Sequence, residues 1–225
     1  MIAPSVAARG IGREGQTLVT LDGFAPDPDA LRAAALAARF ESAGYHYPGV
    51  RAPLPDWYLR DQLPTITRVL RGVFGRYGPV HVLDAGFSIV TTRPDALSLA
   101  QRIPHCDAFS ADRIALIHYL SPQGGDGTAF FRHRATGFET VDDARKPGYF
   151  ERIGAELDDT VNAPSGYIAG DTRLFERIAL AEARYNRALI YPSFLLHSGA
   201  IAPDAMLSPD PAEGRLTVTA FLSVA

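Results

Sequence analysis

The sequence predicts a mainly β fold with flanking helices, of the sandwich or barrel type. Two helical patterns come early in the 225-residue chain, and strand-like patterns dominate from residue 79 onward. These strands are short and are separated by turns rich in glycine and proline, which is typical of antiparallel sandwiches and barrels. No repeat or linker divides the chain, so we predict one domain over 1–225, with an N-terminal strand and supporting helices in 1–78 and the β core in 79–225.

The N-terminal part is predicted to contain one strand and two helices. Residues 16–21 alternate and are rich in β-branched side chains, so they predict a strand. Asp29 is placed to cap an alanine-rich helix over about 30–40. A second helix over about 56–74 carries its apolar residues on one stripe. Pro64 lies inside this second helix and should kink or split it, because proline has no N–H to donate.

The segment 44–55 between the two helices is rich in glycine and proline and is predicted to be a long irregular loop. Its Tyr45, Tyr47 and Arg51 are candidates for lining a substrate entrance. The alternative is that they only pack on the β core, and the pattern leaves both interpretations open.

From residue 79 the period of the hydrophobic pattern changes to two, which indicates strands. The predicted strands cover 80–92 (as one or two strands), 113–120, 128–134, 187–191 and 215–222. A charged segment over about 148–157 is predicted to be a surface helix, and 174–184 fits either a helix or a strand. Residues 202–213 contain three prolines and are predicted to be an exposed loop.

The composition excludes several functional classes. A net charge of −3 disfavours a nucleic-acid surface, because neutralising phosphates needs an excess of basic residues. Cys106 is the single cysteine, so an internal disulfide and a cysteine-based zinc cluster are both excluded. We see no signal peptide and no apolar stretch long enough to span a bilayer. We therefore expect a cytoplasmic protein without a membrane partner.

His105 and Asp107 are the first candidate site residues, in the segment Pro104-His-Cys-Asp107. In an extended segment, residues i and i+2 project to the same face, so the imidazole and the carboxylate can converge on one point. Such a pair often arises by chance and is weak evidence when it stands alone.

His197 provides a third candidate ligand, because it follows a strand-like segment at a position where a strand is expected to end. Two imidazoles and one carboxylate are the protein ligands of the facial triad that binds non-haem iron(II). This ligand set leaves coordination positions open for a chelating cosubstrate and for O₂. We therefore predict that His105, Asp107 and His197 bind iron(II) and are the catalytic residues.

Arg215, Thr217 and Thr219 are predicted to share one face of the last strand. A guanidinium beside hydroxyl groups is a bidentate receptor for a carboxylate. A dicarboxylic acid could therefore chelate the metal at one end and bind Arg215 at the other end.

The order of these motifs resembles that of the iron(II)/2-oxoglutarate-dependent dioxygenase superfamily, and the local segments are similar to its prolyl-hydroxylase-like branch, including bacterial members. The segments that carry the resemblance are Ile103-Pro-His-Cys-Asp107, Ile117-His-Tyr-Leu-Ser121, Gly127-Thr-Ala-Phe-Phe131 and Leu196-His-Ser-Gly199. The similarity extends over about residues 79–225, and residues 16–40 also resemble the N-terminal part of that branch. It implies that the β core is a double-stranded β-helix, the jelly roll or cupin-like fold.

The resemblance also implies a reaction. Iron(II) and the cosubstrate 2-oxoglutarate would activate O₂ to hydroxylate a small-molecule or peptide substrate, with release of succinate and CO₂. Related halogenases bind a halide in place of the carboxylate ligand, so Asp107 disfavours halogenation.

This chain departs from the branch at two places. A tyrosine on the strand after His-x-Asp often reaches the cosubstrate carboxylate, whereas here His118 falls at that position with Tyr119 beside it. If His118 points inward, it could donate to the cosubstrate carboxylate; if it does not, either Tyr119 does so or neither residue does. The segment between His197 and Arg215 is also long, which we attribute to an inserted loop over 202–213.

Two alternative functions stay open on the sequence alone. One is a cupin-like metalloenzyme that does not use 2-oxoglutarate, for which Arg215 would have no role as a cosubstrate receptor. The other is a non-catalytic binding protein on the same fold, which would have no affinity for metal. The sequence indicates neither the substrate nor the oligomeric state.

The remaining histidines and the cysteine favour structural roles. His46, His81 and His133 are predicted to be structural or surface residues, and His133 lies in the charged run 132–134, which is typical of a solvated face. Cys106 is expected to face away from the metal as a small buried hydrophobic residue.

Overall fold

The computed structural model describes residues 3–44, 47–158, 164–205 and 207–224. Within these ranges the α-helices are α1 (Pro28–Ala37), α2 (Asp56–Phe74) and α3 (Lys146–Leu157). The strands are β1 (Ser5–Ile11), β2 (Gln16–Asp22), β3 (Glu41–Ser42), β4 (Gly49–Ala52), β5 (Val80–Val90), β6 (Arg113–Tyr119), β7 (Gly125–His133), β8 (Phe175–Ala183), β9 (Arg187–Pro192), β10 (His197–Gly199) and β11 (Leu216–Val224). Two short 3₁₀ helices cover Pro94–Ala96 and Leu99–Arg102.

The strands form two antiparallel sheets. The large sheet has the order β1-β2-β9-β6-β11-β5-β4-β3, and the small sheet has the order β10-β7-β8. The segment that carries His105 joins the edge of the small sheet through a bridge to His197. The sheets stay separate in the described ranges, so the predicted jelly-roll class is confirmed without a closed barrel.

The outer face of the large sheet packs on α1 and α2. Their shared cluster combines the apolar stripe of α2, including Ile66 and Leu70, with Val218 and Leu222 of β11. Burial of such side chains contributes about 1.5–3 kcal/mol each, so this layer is a main source of the stability of the fold. None of the helices in the described part of the chain is both long and apolar enough to cross a membrane.

The inner face of the large sheet packs on the small sheet. Tyr119 and Tyr191 of the large sheet lie in one cluster with Phe130 of β7. Because side chains alternate along a strand, β11 sends Thr217 and Thr219 to this inner face while Val218 joins the helices. The space between the two sheets therefore has a polar wall along β11.

A third apolar cluster lies on the other side of the small sheet, where α3 packs. Tyr149 and Ile153 of α3 contact Phe131 of β7 and Phe175 of β8. Four layers result: α1 and α2, the large sheet, the small sheet and α3.

The structure confirms α2 over its predicted length, and Pro64 does not split it. The first helix begins earlier than predicted, at Pro28, because proline fits the first helical position, where no N–H is needed. The cap is therefore Asp27 rather than Asp29, and its carboxylate accepts a hydrogen bond from the Ala30 N–H at 2.9 Å.

The prediction of a loop over 44–55 is wrong in its second half, because β4 pairs there with β5. The approach is close at Gly49, where an added Cβ would lie 2.0 Å from the Ile89 carbonyl oxygen. Only glycine can approach β5 this closely. Gly49, which the sequence analysis counted as evidence for a loop, therefore allows β4 to pair with β5. Tyr45 and His46 lie outside the described residues.

The segment 174–184, which fitted either a helix or a strand, is β8, paired with β7.

The prediction of a solvated face for 132–134 is wrong for two of its three residues, since Arg132 and His133 are buried. His133 bonds Thr136 and Glu156 through its two ring nitrogens, which gives it the structural role that was one of its predicted alternatives.

Candidate metal centre

His105, Asp107 and His197 come together at the edge of the small sheet. His105 and His197 exchange two backbone hydrogen bonds of 2.9 Å, and the Asp107 N–H donates to the Ser193 carbonyl at 2.9 Å. This extended pairing turns the side chains of His105 and Asp107 to the same side, where they meet His197. One ligand atom from each of the three residues lies within 4.8 Å of the other two.

The three side chains are spaced for a single ion. Nε2 of His105 lies 3.5 Å from Oδ1 of Asp107, and Nε2 of His197 lies 3.4 Å from Oδ2. Ligand atoms about 2.1 Å from an ion and at right angles to one another would be about 3 Å apart. The gaps are therefore slightly wider than in a loaded site and leave room for the ion.

The orientation of His197 is fixed by its neighbours. Its Nδ1–H donates to the Leu195 carbonyl at 2.8 Å, which directs the lone pair of Nε2 toward the centre. The ring of Tyr191 packs edge-on against it at 5.0 Å, and the ring of Phe130 lies at 6.3 Å. Burial lowers the pKa of His197 to about 4, so its imidazole is neutral and able to bind a metal at neutral pH.

Asp107 provides the test of whether a cation fits. Its side chain is only 12% exposed, and its buried Oδ2 has no hydrogen-bond partner among the described residues. Burial raises the pKa of Asp107, but the nearby His197 and His105 lower it by more, so the pKa lies below its ordinary value. An ionised, buried and unpartnered carboxylate oxygen is costly unless a cation neutralises it.

His105 leaves the site accessible, because its side chain is 54% exposed. Cys106 lies between the two ligands but turns away, and its thiol donates to the Phe194 carbonyl at 3.0 Å. Burial raises the pKa of this thiol, and the side chain packs with the third apolar cluster. The structure thus gives Cys106 the orientation that the sequence predicted.

Arg215 lies on the inner side of the sheets, half-buried, just before β11. Its Nη2 donates to the Gly127 carbonyl at 2.8 Å, and the guanidinium lies 5.6 Å above the ring of Tyr119. Among the described residues, no carboxylate lies within ion-pair distance of Arg215. This guanidinium can therefore receive an external anion.

A band of hydroxyl groups continues from Arg215 along the inner face. Thr217 donates to the Ser88 carbonyl at 3.2 Å, and the Ser88 and Thr219 hydroxyls lie 2.9 Å apart. Arg51 reaches the same band and pairs with Asp84 at 2.7 Å. Thr217 and Thr219 both face inward, but Thr219 is already engaged by Ser88 and Arg51.

His118 does not approach the triad. It faces the helices, where Nδ1 lies 3.0 Å from the Tyr58 hydroxyl and Nε2 lies 3.0 Å from Oδ1 of Asn186. Tyr119 faces inward, but its hydroxyl bonds Thr128 at 2.7 Å. The structure therefore places Tyr119 on the inner face of the large sheet and keeps His118 in the core beside the helices.

Two tyrosines near the site, Tyr191 and Tyr167, were not predicted from the sequence, and Tyr47 was predicted only as a candidate for lining the substrate entrance. Tyr191 packs on His197, and its pKa is raised by burial and by the nearby charge of Asp107. Tyr47 and Tyr167 lie near Arg215. The charge of Arg215 lowers the pKa of each tyrosine, but burial has a larger effect and raises both pKa values. The period of two in β9 could have placed Tyr191 inward, whereas Tyr167 lies outside the strands and gave no comparable signal.

The fold is similar to solved structures of oxygenases. HygX from Streptomyces hygroscopicus, crystallised with nickel and 2-oxoglutarate bound, aligns over 92% of this chain and 83% of its own chain, with a TM-score of 0.54 and 12% identity. SnoK, a non-heme alpha ketoglutarate dependent carbocyclase from nogalamycin biosynthesis, aligns over 93% of this chain and 80% of its own, with a TM-score of 0.51 and 13% identity. The chain thus has the fold of 2-oxoglutarate-dependent oxygenases, and its similarity to the prolyl-hydroxylase-like branch stays a prediction.

No curated protein shows significant similarity to the sequence. A family described as "Family of unknown function (DUF6445)" matches residues 2–222. Because this match covers nearly the whole chain, the protein belongs to the DUF6445 family.

Proposed function

We propose that this protein is a non-haem iron(II) and 2-oxoglutarate-dependent oxygenase that hydroxylates a small-molecule or peptide substrate. The observation that carries the proposal is a pair of unmet charges between the two sheets, those of Asp107 and Arg215, which both act on the ring hydroxyl of Tyr191. The buried Asp107 carboxylate has an oxygen without a partner, and the Arg215 guanidinium has no carboxylate among the described residues. A metal ion and a dicarboxylic acid would satisfy both.

His105, Asp107 and His197 are the residues that would hold the metal. Iron(II) at this site, with 2-oxoglutarate bound, would supply the activation of O₂. The overall reaction balances when one O₂ oxidises both molecules: the substrate C–H becomes C–OH, and 2-oxoglutarate becomes succinate and CO₂. The shared fold and the nickel and 2-oxoglutarate bound to HygX support this assignment.

The chain's own residues prepare the site for this reaction. Asp107 is ionised and His197 is neutral, so neither needs to lose a proton before it binds a metal. Phe130 and Tyr191 form an apolar wall beside His197 that limits the access of water. Arg215 would then bind the distal carboxylate of 2-oxoglutarate and hold it in one orientation.

The proposal is tested by succinate release from purified, iron-loaded protein. With 2-oxoglutarate and O₂ present, we expect succinate to accumulate, and a screen of small molecules and peptides should contain one that increases its rate. Asp107→Ala should release no succinate above the protein-free background. Iron-loaded wild-type protein that consumes no 2-oxoglutarate with any substrate would contradict the proposal.

A further inference from the structure

The hydroxyl group of Tyr47 is buried and lies beside the Ser88 and Thr217 hydroxyls, but it forms no hydrogen bond of good geometry with them or with any other described residue. A buried phenol usually donates a hydrogen bond, because an unsatisfied buried polar group costs free energy. The Tyr47 hydroxyl is therefore a donor that the described part of the chain does not use. Its position requires an explanation, as does the unpartnered oxygen of Asp107.

The backbone holds Tyr47 in place at the open end of β4. The Tyr47 carbonyl accepts a hydrogen bond from the Gly49 N–H at 2.9 Å. The next carbonyl, of Pro48, accepts from both Thr91 and Thr92 at 3.1 Å, just beyond the end of β5. The side chain is thus anchored beside the strand that carries Ser88.

The surroundings of the hydroxyl are those of an anion site. Burial raises the pKa of Tyr47 to about 12, while Arg215, Ser88, Arg51 and Thr217 each lower it. The phenol is therefore protonated at neutral pH and lies among two guanidinium groups and two hydroxyl groups. Gly49 of β4 pairs with Val90 and Leu216 of β11 pairs with Ile89, so Tyr47 and Arg215, which precede these two strands, both lie at the same end of β5. An anion bound to Arg215 would therefore lie close to this phenol.

The neighbouring donors of this region are already occupied. The Tyr167 hydroxyl donates to the Thr92 carbonyl at 2.7 Å, and the Tyr119 hydroxyl bonds Thr128. Arg51 bonds Ser88 and pairs with Asp84, so its charge is compensated. Within the described ranges, Arg215 is left without a carboxylate and the Tyr47 phenol without a hydrogen bond of good geometry, so these two donors are available to an incoming anion.

We infer that Tyr47 is a further 2-oxoglutarate-binding residue, whose phenol donates a hydrogen bond to the distal carboxylate beside Arg215 and Thr217. The inference rests on the proposed function and deepens it. It assigns the tyrosine contact to the segment before β4 and not to β6, where the sequence placed it at His118 or Tyr119.

The test measures binding and does not depend on turnover. The dissociation constant of 2-oxoglutarate is measured by anaerobic titration calorimetry of iron(II)-loaded wild type, Tyr47→Phe and the matched control Tyr167→Phe. The same titrations are repeated with 2-oxopentanoate, which keeps the chelating keto acid but lacks the distal carboxylate. The loss of affinity that Tyr47→Phe causes for 2-oxoglutarate is then compared with the loss it causes for 2-oxopentanoate. The difference, as in a double-mutant cycle, isolates the contact between the phenol and the distal carboxylate.

We expect Tyr47→Phe to weaken 2-oxoglutarate binding by about 10- to 100-fold, the loss typical of one hydrogen bond to a charged group. Its affinity for 2-oxopentanoate should stay within about threefold of wild type, and Tyr167→Phe should bind both ligands nearly as wild type does. In the ligand-free protein, Tyr47→Phe should unfold at a temperature equal to or above that of wild type, because it removes only an unpartnered hydroxyl.

Two results would overturn the inference while leaving the proposed function intact. One is wild-type affinity for 2-oxoglutarate in Tyr47→Phe, and the other is an equal loss of affinity for both keto acids, which would indicate a purely structural role. If iron-loaded wild type binds no 2-oxoglutarate at all, the proposed function fails, and the inference fails with it.

Discussion

At the scale of single residues, the site is defined by polar groups that the chain leaves unsatisfied. Asp107 is ionised and buried, but one of its oxygens has no partner among the described residues. Its two nearest cationic candidates are His105 and His197, and His197 is neutral at physiological pH. A divalent ion would supply the missing positive charge, so metal binding should stabilise the carboxylate more than any neighbouring side chain does.

The first prediction concerns Asp107 as a metal ligand. Asp107→Ala should lower the affinity for iron(II) or a surrogate divalent ion by more than about 100-fold, since even an outer-shell change can cost up to that much. Calorimetric titration of the metal into the metal-free protein measures it. Cys106→Ala is the matched control, because the neighbouring thiol faces Phe194 and its loss should leave metal affinity unchanged.

The second prediction concerns Arg215 as the receptor for the cosubstrate. Arg215→Ala should weaken 2-oxoglutarate binding by about 2–5 kcal/mol, the cost of removing one partner of a buried charge pair, and should leave metal affinity unchanged. Arg184→Ala is the control, because that guanidinium pairs with Glu182 on the surface. Unchanged 2-oxoglutarate affinity in Arg215→Ala would favour a cupin-like metalloenzyme without this cosubstrate.

The sequence predicted some of these residues because the geometry is local. An extended segment turns His105 and Asp107 to one side whatever the tertiary structure, and the structure brings them to His197. The direction of His118 could not be predicted in the same way. Strand β6 is buried on both faces, so its pattern does not alternate and does not reveal which face meets the small sheet.

At the scale of elements, the prediction succeeded where a local period is strong. The apolar stripe of α2 specifies the helix on its own, and the packing against β11 agrees with it. The hydrophobic pattern of β8 fits both the helical and the strand period, and its hydrogen-bonded pairing with β7 makes it a strand. Strand β1 has no apolar pattern because nearly all its residues are exposed, so only its pairing with β2 identifies it.

The third prediction concerns Glu139, which joins the β1–β2 hairpin to the small sheet. Its carboxylate is 1% exposed and accepts hydrogen bonds of 2.9 Å from Arg132 and from the Arg13 and Glu14 N–H groups. Glu139→Gln removes the charge from this buried network and should lower the free energy of unfolding by about 2–4 kcal/mol.

Urea unfolding of the wild type and the Glu139 variant measures this difference. Glu182→Gln changes an exposed ion pair and serves as the control, with an expected effect of at most about 0.5 kcal/mol. Equal losses for the two variants would show that the Glu139 network does not hold the hairpin.

At the scale of the whole molecule, the stability should depend on pH through buried histidines. Burial lowers the pKa of His118 to about 4 in the folded protein, below the ordinary value of 6.5. Between these two pH values the unfolded chain binds a proton that the folded chain does not. The free energy of unfolding should therefore decrease as the pH falls from about 6.5 to 4, by at most about 3 kcal/mol from this residue.

This fourth prediction is checked by urea unfolding of metal-free protein at several pH values in that range. His133 and His197 also have lowered pKa values and add to the same trend. His118→Gln, which removes one titrating group, should show a smaller decrease than wild type. An identical pH dependence in the two proteins would contradict the account of His118 as a neutral core residue.

The arrangement of the layers places the site between the two sheets. The small sheet supplies the three candidate ligands through β10 and the segment paired with it, and the large sheet supplies Arg215 and Thr217 at β11. A metal ion and an anion bound at these two walls would therefore connect them. The central claim is that one molecule of 2-oxoglutarate makes this connection.

The most direct test of that claim is the visible spectrum of the protein under anaerobic conditions. Addition of iron(II) and then 2-oxoglutarate should produce a weak charge-transfer band, because the keto acid would chelate a metal held by the triad. The band should require both additions and should be absent from Asp107→Ala. A folded, iron-loaded wild-type protein that shows no band with saturating 2-oxoglutarate would contradict the account.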